Sequence, residues 1–181
     1  MNRTRLKDFL DTKADEYNRP GFILNDPICV PHLFSKKQDI EIAGFISATF
    51  AWGQRKTIIN KSKAFLEMMD NDPHAFVLNH SESDLEPFLS FKHRTFNSTD
   101  ALYFLHFFRW FYQHHGSLEE AFTQSMSTED EHTESGLAGF FDLFFSLPDH
   151  PRRTYKHIPT PARRSACKRI NMFLRWMVEK G

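Results

Sequence analysis

The sequence predicts an all-α protein with a single domain over residues 1–181. Apolar residues recur at helical spacing in nearly every segment, whereas runs of strict apolar–polar alternation are scarce. The chain carries 20 Phe, 3 Trp and 4 Tyr but only seven Gly, which favours a helical bundle with an aromatic core over a turn-rich sandwich. Within this domain we expect an acidic, aromatic-rich body over 1–150 and a basic, hairpin-like segment followed by a helix over 151–181.

Gly, Pro and polar runs separate the predicted helices. From the spacing of their apolar residues, the helices are expected at 6–17, 39–52, 58–72, 101–112, 117–126, 137–147 and 165–178. The helix at 39–52 is apolar on nearly all sides, which suits the centre of a bundle. The helices at 101–112 and 137–147 are so rich in aromatic residues that we expect both to be buried.

Several classes of protein are excluded by what the sequence lacks. The N-terminal stretch 1–17 is polar and no apolar run approaches the length of a membrane span, so neither a secretion signal nor a span is predicted. Cys29 and Cys167 match no disulfide framework or CxxC motif, which suits a reducing cytoplasm. The ten His show no ligand spacing, and glycine-rich phosphate loops are absent. We therefore expect no metal, no small-molecule cofactor and no membrane partner.

The charges of the chain are distributed unevenly. Of its 23 basic and 23 acidic residues, nine basic residues and one acidic residue, Glu179, lie within 151–181. The first 150 residues therefore carry a formal charge of −8 and the remainder +8. This asymmetry favours an anionic partner, with nucleic acid the leading candidate. The alternative is that the basic end docks on the acidic body of the same chain.

A turn between two predicted helices is the first candidate contact with such a partner. It reads Trp52-Gly53-Gln54-Arg55-Lys56, in which a flexible Gly is followed by an amide and two cations. These side chains can meet a phosphate backbone or reach into a base stack. The alternative is a plain, solvated junction between helices.

The basic segment holds the second candidate, Lys168. Pro159 and Pro161 prevent a helix before it, and Ser165 can cap a new helix that places Lys168 in its first turn. The positive end of a helix dipole and the cations nearby favour a neutral amine, which can attack carbon. The alternative is that Lys168 and Arg169 are solvated charges or phosphate contacts without a covalent role.

Two stretches also carry a resemblance to a known family. Residues 45–56 and 165–178 resemble the signature of an uncharacterised bacterial family, domain of unknown function 2400, and the likeness extends in order over most of the chain. Behind it lies a fainter resemblance to the helix-hairpin-helix DNA glycosylases, which include endonuclease III and 8-oxoguanine glycosylase. This second resemblance implies a bundle of helices with DNA as the partner.

The glycosylase resemblance also implies roles for particular residues. In those enzymes an early helix ends in a turn with Gln or Asn near the DNA stack, and Gln54 lies at the corresponding place. Their later hairpin, of the form LPGVGxK, binds phosphate and begins the helix that presents a Schiff-base lysine, with which Lys168 aligns. The resemblance thus implies that Lys168 attacks the sugar carbon of a flipped-out damaged nucleotide.

The chain departs from the glycosylase pattern in two places. Arg164 and Ala166 stand where the hairpin glycines would be, although Arg163 and Arg164 offer side-chain contacts to phosphate instead. The catalytic aspartate that follows the lysine-bearing helix in those enzymes has no counterpart before residue 181. We therefore expect a relative that lacks the C-terminal third, with bare apolar surface on its aromatic helices that favours self-association.

From these observations we expect a DNA-binding protein that resembles a base-excision glycosylase or lyase and has weak or no catalytic activity. The alternatives are a non-enzymatic nucleic-acid-binding module and a helical interaction domain whose basic end meets an acidic protein. The candidate catalytic residue is Lys168. The candidate DNA contacts are Gln54, Arg55, Lys56, Arg163, Arg164 and Arg169.

Overall fold

The computed structural model describes residues 2–17 and 19–178, and the described chain is mostly helical, with one short β-hairpin and connecting loops. The prediction of an all-α fold is confirmed. The α-helices are α1 (Arg3–Tyr17), α2 (Pro20–Ile23), α3 (Lys37–Phe50), α4 (Arg55–Glu67), α5 (Pro73–Asn79), α6 (Ser98–His114), α7 (Leu118–Thr123), α8 (Glu134–Phe144) and α9 (Lys168–Val178). The hairpin strands are β1 (Lys92–His93) and β2 (Phe96–Asn97). Short 3₁₀ helices lie at Pro27–Cys29, Pro31–Leu33, Ser83–Ser90, Arg152–Lys156 and Pro161–Arg163.

Helix α3 forms the centre of the core, as its apolar sequence predicts. Its residues from Glu41 to Phe50 are all buried. The ring of Phe45 meets aromatic rings from three other helices, α6, α8 and α9, with centroid distances of 5.3 to 6.3 Å. Such tilted and edge-to-face pairs add to the free energy gained by burying the rings. The core therefore joins elements from the middle and the end of the chain.

The two aromatic helices have their packing partners within the chain. In α6 and α8 the rings of Phe104, Phe108, Phe140 and Phe144 are fully buried. The expectation of bare apolar surface on these helices is wrong, because their rings pack against each other, against Phe45 of α3 and against Phe122 of α7. The large apolar side chains that are exposed lie elsewhere, at Leu6, Phe9, Leu10, Tyr17, Leu24, Leu33, Trp52, Leu89 and Val178.

Helix α9, which carries part of the basic segment, packs along α3. Ile170 and Phe173 are buried in this contact. Gly44 of α3 permits the close approach, since a Cβ atom there would lie 2.9 Å from the Cε atom of Met177. The basic segment is therefore part of the packed fold, and its position relative to α3 is fixed.

The start of α9 differs from the prediction. Ser165 does not begin the helix, which starts three residues later at Lys168. Arg164 and Cys167 have left-handed backbone angles, with φ of 57° and 48°, and these turns delay the helix. Ser165 instead accepts a hydrogen bond at Oγ from the backbone N–H of Cys167, at 3.1 Å. Lys168 still lies in the first turn, as the sequence predicts.

Among the residues that the structure describes, no helix is long and apolar enough to cross a membrane.

Candidate functional site

A cavity of about 400 Å³ lies at the C-terminal end of α3. It is lined by Ala51, Trp52, Thr95, Lys156 and Arg169. We call this cavity the α3 cleft. It joins the turn after α3 to the basic segment, the two stretches in which the sequence places its candidate residues, although more than 100 positions separate them in the chain.

The turn after α3 presents an aromatic ring to solvent. Trp52 is 48% exposed and also borders the cleft. The guanidinium of Arg94 lies over its ring, with the Cζ atom 5.8 Å from the ring centroid. Gly53 is required here for two reasons: its φ is +126°, and a Cβ atom would lie 2.5 Å from Nη2 of Arg94. The glycine therefore both reverses the chain and leaves room for the arginine.

The β-hairpin delivers Arg94 and Thr95 to this end of α3. Lys92 pairs with Asn97 and His93 with Phe96, so the two residues between the strands form the turn. Burial lowers the pKa of His93, which keeps its imidazole neutral. Its Nε2 atom lies 3.0 Å from the carbonyl oxygen of Phe50, to which a neutral ring donates from that nitrogen. The hairpin is thereby attached to the last turn of α3.

Arg169 also lines the cleft and is held there by two backbone carbonyls. Its Nη1 atom donates to the carbonyl of Thr49 at 2.7 Å, and its Nη2 atom donates to the carbonyl of Lys156 at 3.4 Å. The Thr49 carbonyl is one of the last in α3 and has no partner inside the helix, so a cation suits this position. Burial lowers the pKa of Arg169, yet among residues 2–17 and 19–178 no carboxylate pairs with it. A partly desolvated cation that has no carboxylate partner within the described residues thus borders the cavity.

One arginine of the basic segment does dock on the acidic body. Arg153 lies 3.4 Å from Oδ2 of Asp100, which is fully buried at the start of α6. The same carboxylate accepts a hydrogen bond from Thr154 Oγ1 at 2.8 Å and lies 3.3 Å from Nε2 of His157. Burial opposes ionisation of Asp100, but the close approach of His157 and the hydrogen bonds from Thr154 and the backbone N–H of Asn97 outweigh it and lower the pKa.

Most other cations of the basic segment lack such partners. Within the described part of the chain, the salt bridges do not include Arg152, Lys156, Arg164 or Lys168, all of which are exposed. Arg163 instead lies over two aromatic rings, 4.5 Å from that of Tyr155 and 5.1 Å from that of Phe141. Docking on the acidic body therefore explains the position of Arg153, whereas Lys156 remains exposed at the cleft.

The sequence-predicted site residues do not all meet in one place. Of these residues, Arg169 borders the α3 cleft, and Gln54 lies two residues beyond Trp52 at the start of α4. Lys56 is exposed on α4, whereas Arg55 is 3.6 Å from Asp26 and lies over the ring of Phe22. Sequence reasoning missed Arg94 and Thr95, because their turn lacks the Asn-Gly or Asp-Gly signal of a two-residue hairpin.

Lys168 does not line the α3 cleft, although it directly precedes Arg169, which does. It is exposed at the first position of α9, directly after Cys167. Cys167 borders a second cavity of about 350 Å³. The other residues lining this second cavity are His132, Thr133, Glu134, Leu137, Pro161, Ser165 and Ala166. In the described residues no group of three or more His, Cys, Asp or Glu side chains is placed to hold a metal ion.

The fold and the cleft define a small helical protein with an aromatic core and a cationic cleft beside an exposed tryptophan. Residues 26–181 match the family described as a protein of unknown function (DUF2400). Because the match covers most of the sequence, the chain belongs to this family, and the resemblance to domain of unknown function 2400 inferred from the sequence is confirmed. Comparison with curated proteins and with solved structures gave no match.

Proposed function

We propose that the protein binds nucleic acid at the α3 cleft. The observation that carries the proposal is the meeting of Trp52, Lys156 and Arg169 around one cavity. Aromatic rings next to cations are the usual means of holding a nucleic-acid strand, since bases stack on the ring while phosphates contact the cations. Arg152, Arg164 and Lys168 extend the positive charge along the basic segment.

Salt dependence of binding tests this proposal. A fluorescently labelled oligonucleotide of about twelve nucleotides is titrated by anisotropy over a range of salt concentrations. If four cations each neutralise one phosphate of a single strand, log K falls against log salt with a slope of about −3. Replacement of one such cation, Lys156→Ala, is expected to weaken binding about five- to tenfold at low salt and to reduce the slope by about 0.7.

The matched control is Lys36→Ala. Lys36 is also an exposed lysine, but it precedes α3 at the end away from the cleft, about 20 Å along the helix. The control is expected to bind like the unchanged protein. No binding at low salt would contradict the proposal and favour an acidic protein as the partner. Equal weakening by both substitutions would also contradict it, because the contact would then not be specific to the cleft.

A second candidate function is lyase chemistry at Lys168. Two observations favour it: Lys168 is the first residue of α9, and Arg164 has the left-handed backbone that glycine favours, at a position where the glycosylase resemblance places a hairpin glycine. In this reaction the neutral Lys168 amine attacks the aldehyde carbon of an abasic sugar. The carbonyl oxygen leaves as water, and an imine joins the enzyme to the DNA.

Reduction with borohydride tests the lyase function, because it converts the imine to a stable amine. At protein concentrations that saturate binding for both variants, we expect a faint covalent adduct with abasic DNA that is lost in Lys168→Ala and kept in Lys156→Ala, without release of damaged bases. Exposed lysines and N-terminal amines also form such adducts, so the comparison of the two variants is decisive. Equal trapping by both would reduce Lys168 to a phosphate contact.

A further inference from the structure

Resting on the proposed function, we infer that the α3 cleft selects unpaired nucleotides, with one base stacked on Trp52 and its phosphate held by Lys156 and Arg169. The partner is then single-stranded nucleic acid rather than an intact duplex. The inference goes beyond phosphate binding, because it requires a base in the cavity.

The first support is the placement of the Trp52 ring. Nearly half of this residue is exposed although it lies beside a fully packed core. Arg94 lies over the ring, and the absence of a Cβ atom at Gly53 leaves room for it there. The hairpin carrying Arg94 is attached to α3 through His93. The ring is thus oriented before any ligand arrives, which lowers the entropic cost of stacking a base on it.

The second support is the size and chemistry of the cavity. Its volume of about 400 Å³ falls in the range of pockets that hold small organic ligands, about 300 to 1,000 Å³. Its lining combines apolar residues, Ala51 and Trp52, with cations, Lys156 and Arg169. A nucleotide likewise combines an apolar base face with an anionic phosphate. In a duplex the bases are stacked and paired, so a base must leave the helix to enter the cavity.

The third support is Arg169. Its guanidinium carries five N–H donors, and the carbonyls of Thr49 and Lys156 take two of them. Burial lowers its pKa, and in the described parts of the chain the residue has no carboxylate partner to offset this loss of hydration. An anion in the cleft would supply the missing counter-charge, and phosphate is the anion that a nucleotide brings.

Three oligonucleotides of equal length distinguish base recognition from phosphate recognition. They are a single strand of thymidines, a strand of the same length made of abasic sugars, and the thymidine strand paired with its complement. The single strand and the abasic strand carry the same number of phosphates, so a purely electrostatic site binds them equally. We expect the thymidine strand to bind roughly tenfold more tightly than the abasic strand, which is the effect of stacking about one base.

Replacement of Trp52 tests whether the preference for the thymidine strand over the abasic strand arises at the cleft. In Trp52→Ala the thymidine and abasic strands are expected to bind within about twofold of each other, and in Trp52→Phe part of the preference returns. Leu89→Ala is the control, since Leu89 is also a large exposed apolar residue, 61% exposed, but does not line the cleft. Circular dichroism confirms that each variant is folded.

The outcomes separate this inference from the proposed function. Equal binding of the thymidine and abasic strands by the unchanged protein, or duplex binding at least as tight as single-strand binding, overturns the inference but leaves nucleic-acid binding intact. If the unchanged protein binds none of the three oligonucleotides, both the inference and the proposed function are overturned. Competition by thymidine monophosphate distinguishes a strand from a free nucleotide as the ligand. We expect the free nucleotide to displace the thymidine strand only at millimolar concentration. If the free nucleotide binds as tightly as the strand, the ligand is not a strand and the inference is overturned.

Discussion

At the scale of single residues, Asp100 fixes the basic segment to the body of the protein. Its buried carboxylate contacts Arg153, Thr154 and His157. In Asp100→Asn these groups lose a buried anionic partner, and we expect the free energy of unfolding to fall by about 3 to 5 kcal/mol. Urea denaturation at pH 7 measures this change. The control is Asp142→Asn, an exposed aspartate of α8, which is expected to change stability by less than about 0.5 kcal/mol.

The contribution of Asp100 depends on pH. Since its pKa is lower in the folded protein than the usual value of 3.8, its stabilisation is present above about pH 4. It is lost as the pH falls through the lowered folded-state pKa, where the carboxyl becomes protonated in both states. The difference in stability between the unchanged protein and Asp100→Asn should therefore shrink on acidification to about pH 2. A difference that stays constant would show that charge is not the source of the effect.

A second prediction at the scale of single residues concerns Gly53. In Gly53→Ala the residue keeps an unfavourable φ of +126° and its Cβ atom collides with Arg94. We expect a loss of about 1 to 3 kcal/mol in the free energy of unfolding, together with weaker nucleic-acid binding as the turn shifts. Gly21→Ala is the matched control, because nothing lies within 4 Å of a Cβ atom there. Equal stability of the two variants in thermal unfolding would contradict the assigned role.

The roles of these residues differ in how readily they can be recognised from the sequence. Trp52 and Gly53 stand in a turn that is recognisable from the sequence, because an apolar helix ends just before them. Asp100 is recognisable as a helix-capping residue, but its contacts with Arg153 and His157 join positions more than 50 residues apart. Such long-range contacts depend on how the helices pack, which spacing along one helix does not encode.

At the scale of elements, the central, buried helix α3 and the first helix, α1, can be compared directly. Phe45 of α3 is 1% exposed and contacts five other rings, whereas Phe9 of α1 is 55% exposed. We expect Phe45→Ala to cost about 3 to 5 kcal/mol and Phe9→Ala less than about 0.5 kcal/mol. Chemical denaturation of both variants checks the difference, and similar costs would contradict the burial assigned to α3.

Helix α1 also shows what periodicity leaves undetermined. The stripe of Leu6, Phe9 and Leu10 predicts a helix that ends before Asn18, and α1 does end at Tyr17. None of its residues is buried, however. An apolar stripe indicates that one face of a helix is suited to packing, but it does not specify a partner. In α6 and α8 the aromatic residues predict burial correctly because they occupy most of the helix surface.

At the scale of the whole molecule, the uneven distribution of charge is read directly from the sequence. The basic segment packs against α3 through Ile170 and Phe173, while Lys156 and Arg164 stay exposed. Composition alone does not distinguish a basic end that docks on the acidic body from one that faces a partner. The structure contains both features, since Arg153 pairs with Asp100 while Lys156 is exposed and lines the cleft.

Photochemical cross-linking tests the central claim, nucleic-acid binding at the α3 cleft, most directly. A single strand that contains 4-thiothymidine is irradiated with the protein, and the modified peptides are identified by mass spectrometry. The cross-links are expected in the peptides that contain Trp52, Thr95 and Lys156, and they should decrease in Lys156→Ala but not in Lys36→Ala. Cross-links confined to peptides away from the cleft, such as those of α1, or spread evenly over the chain, would contradict the claim.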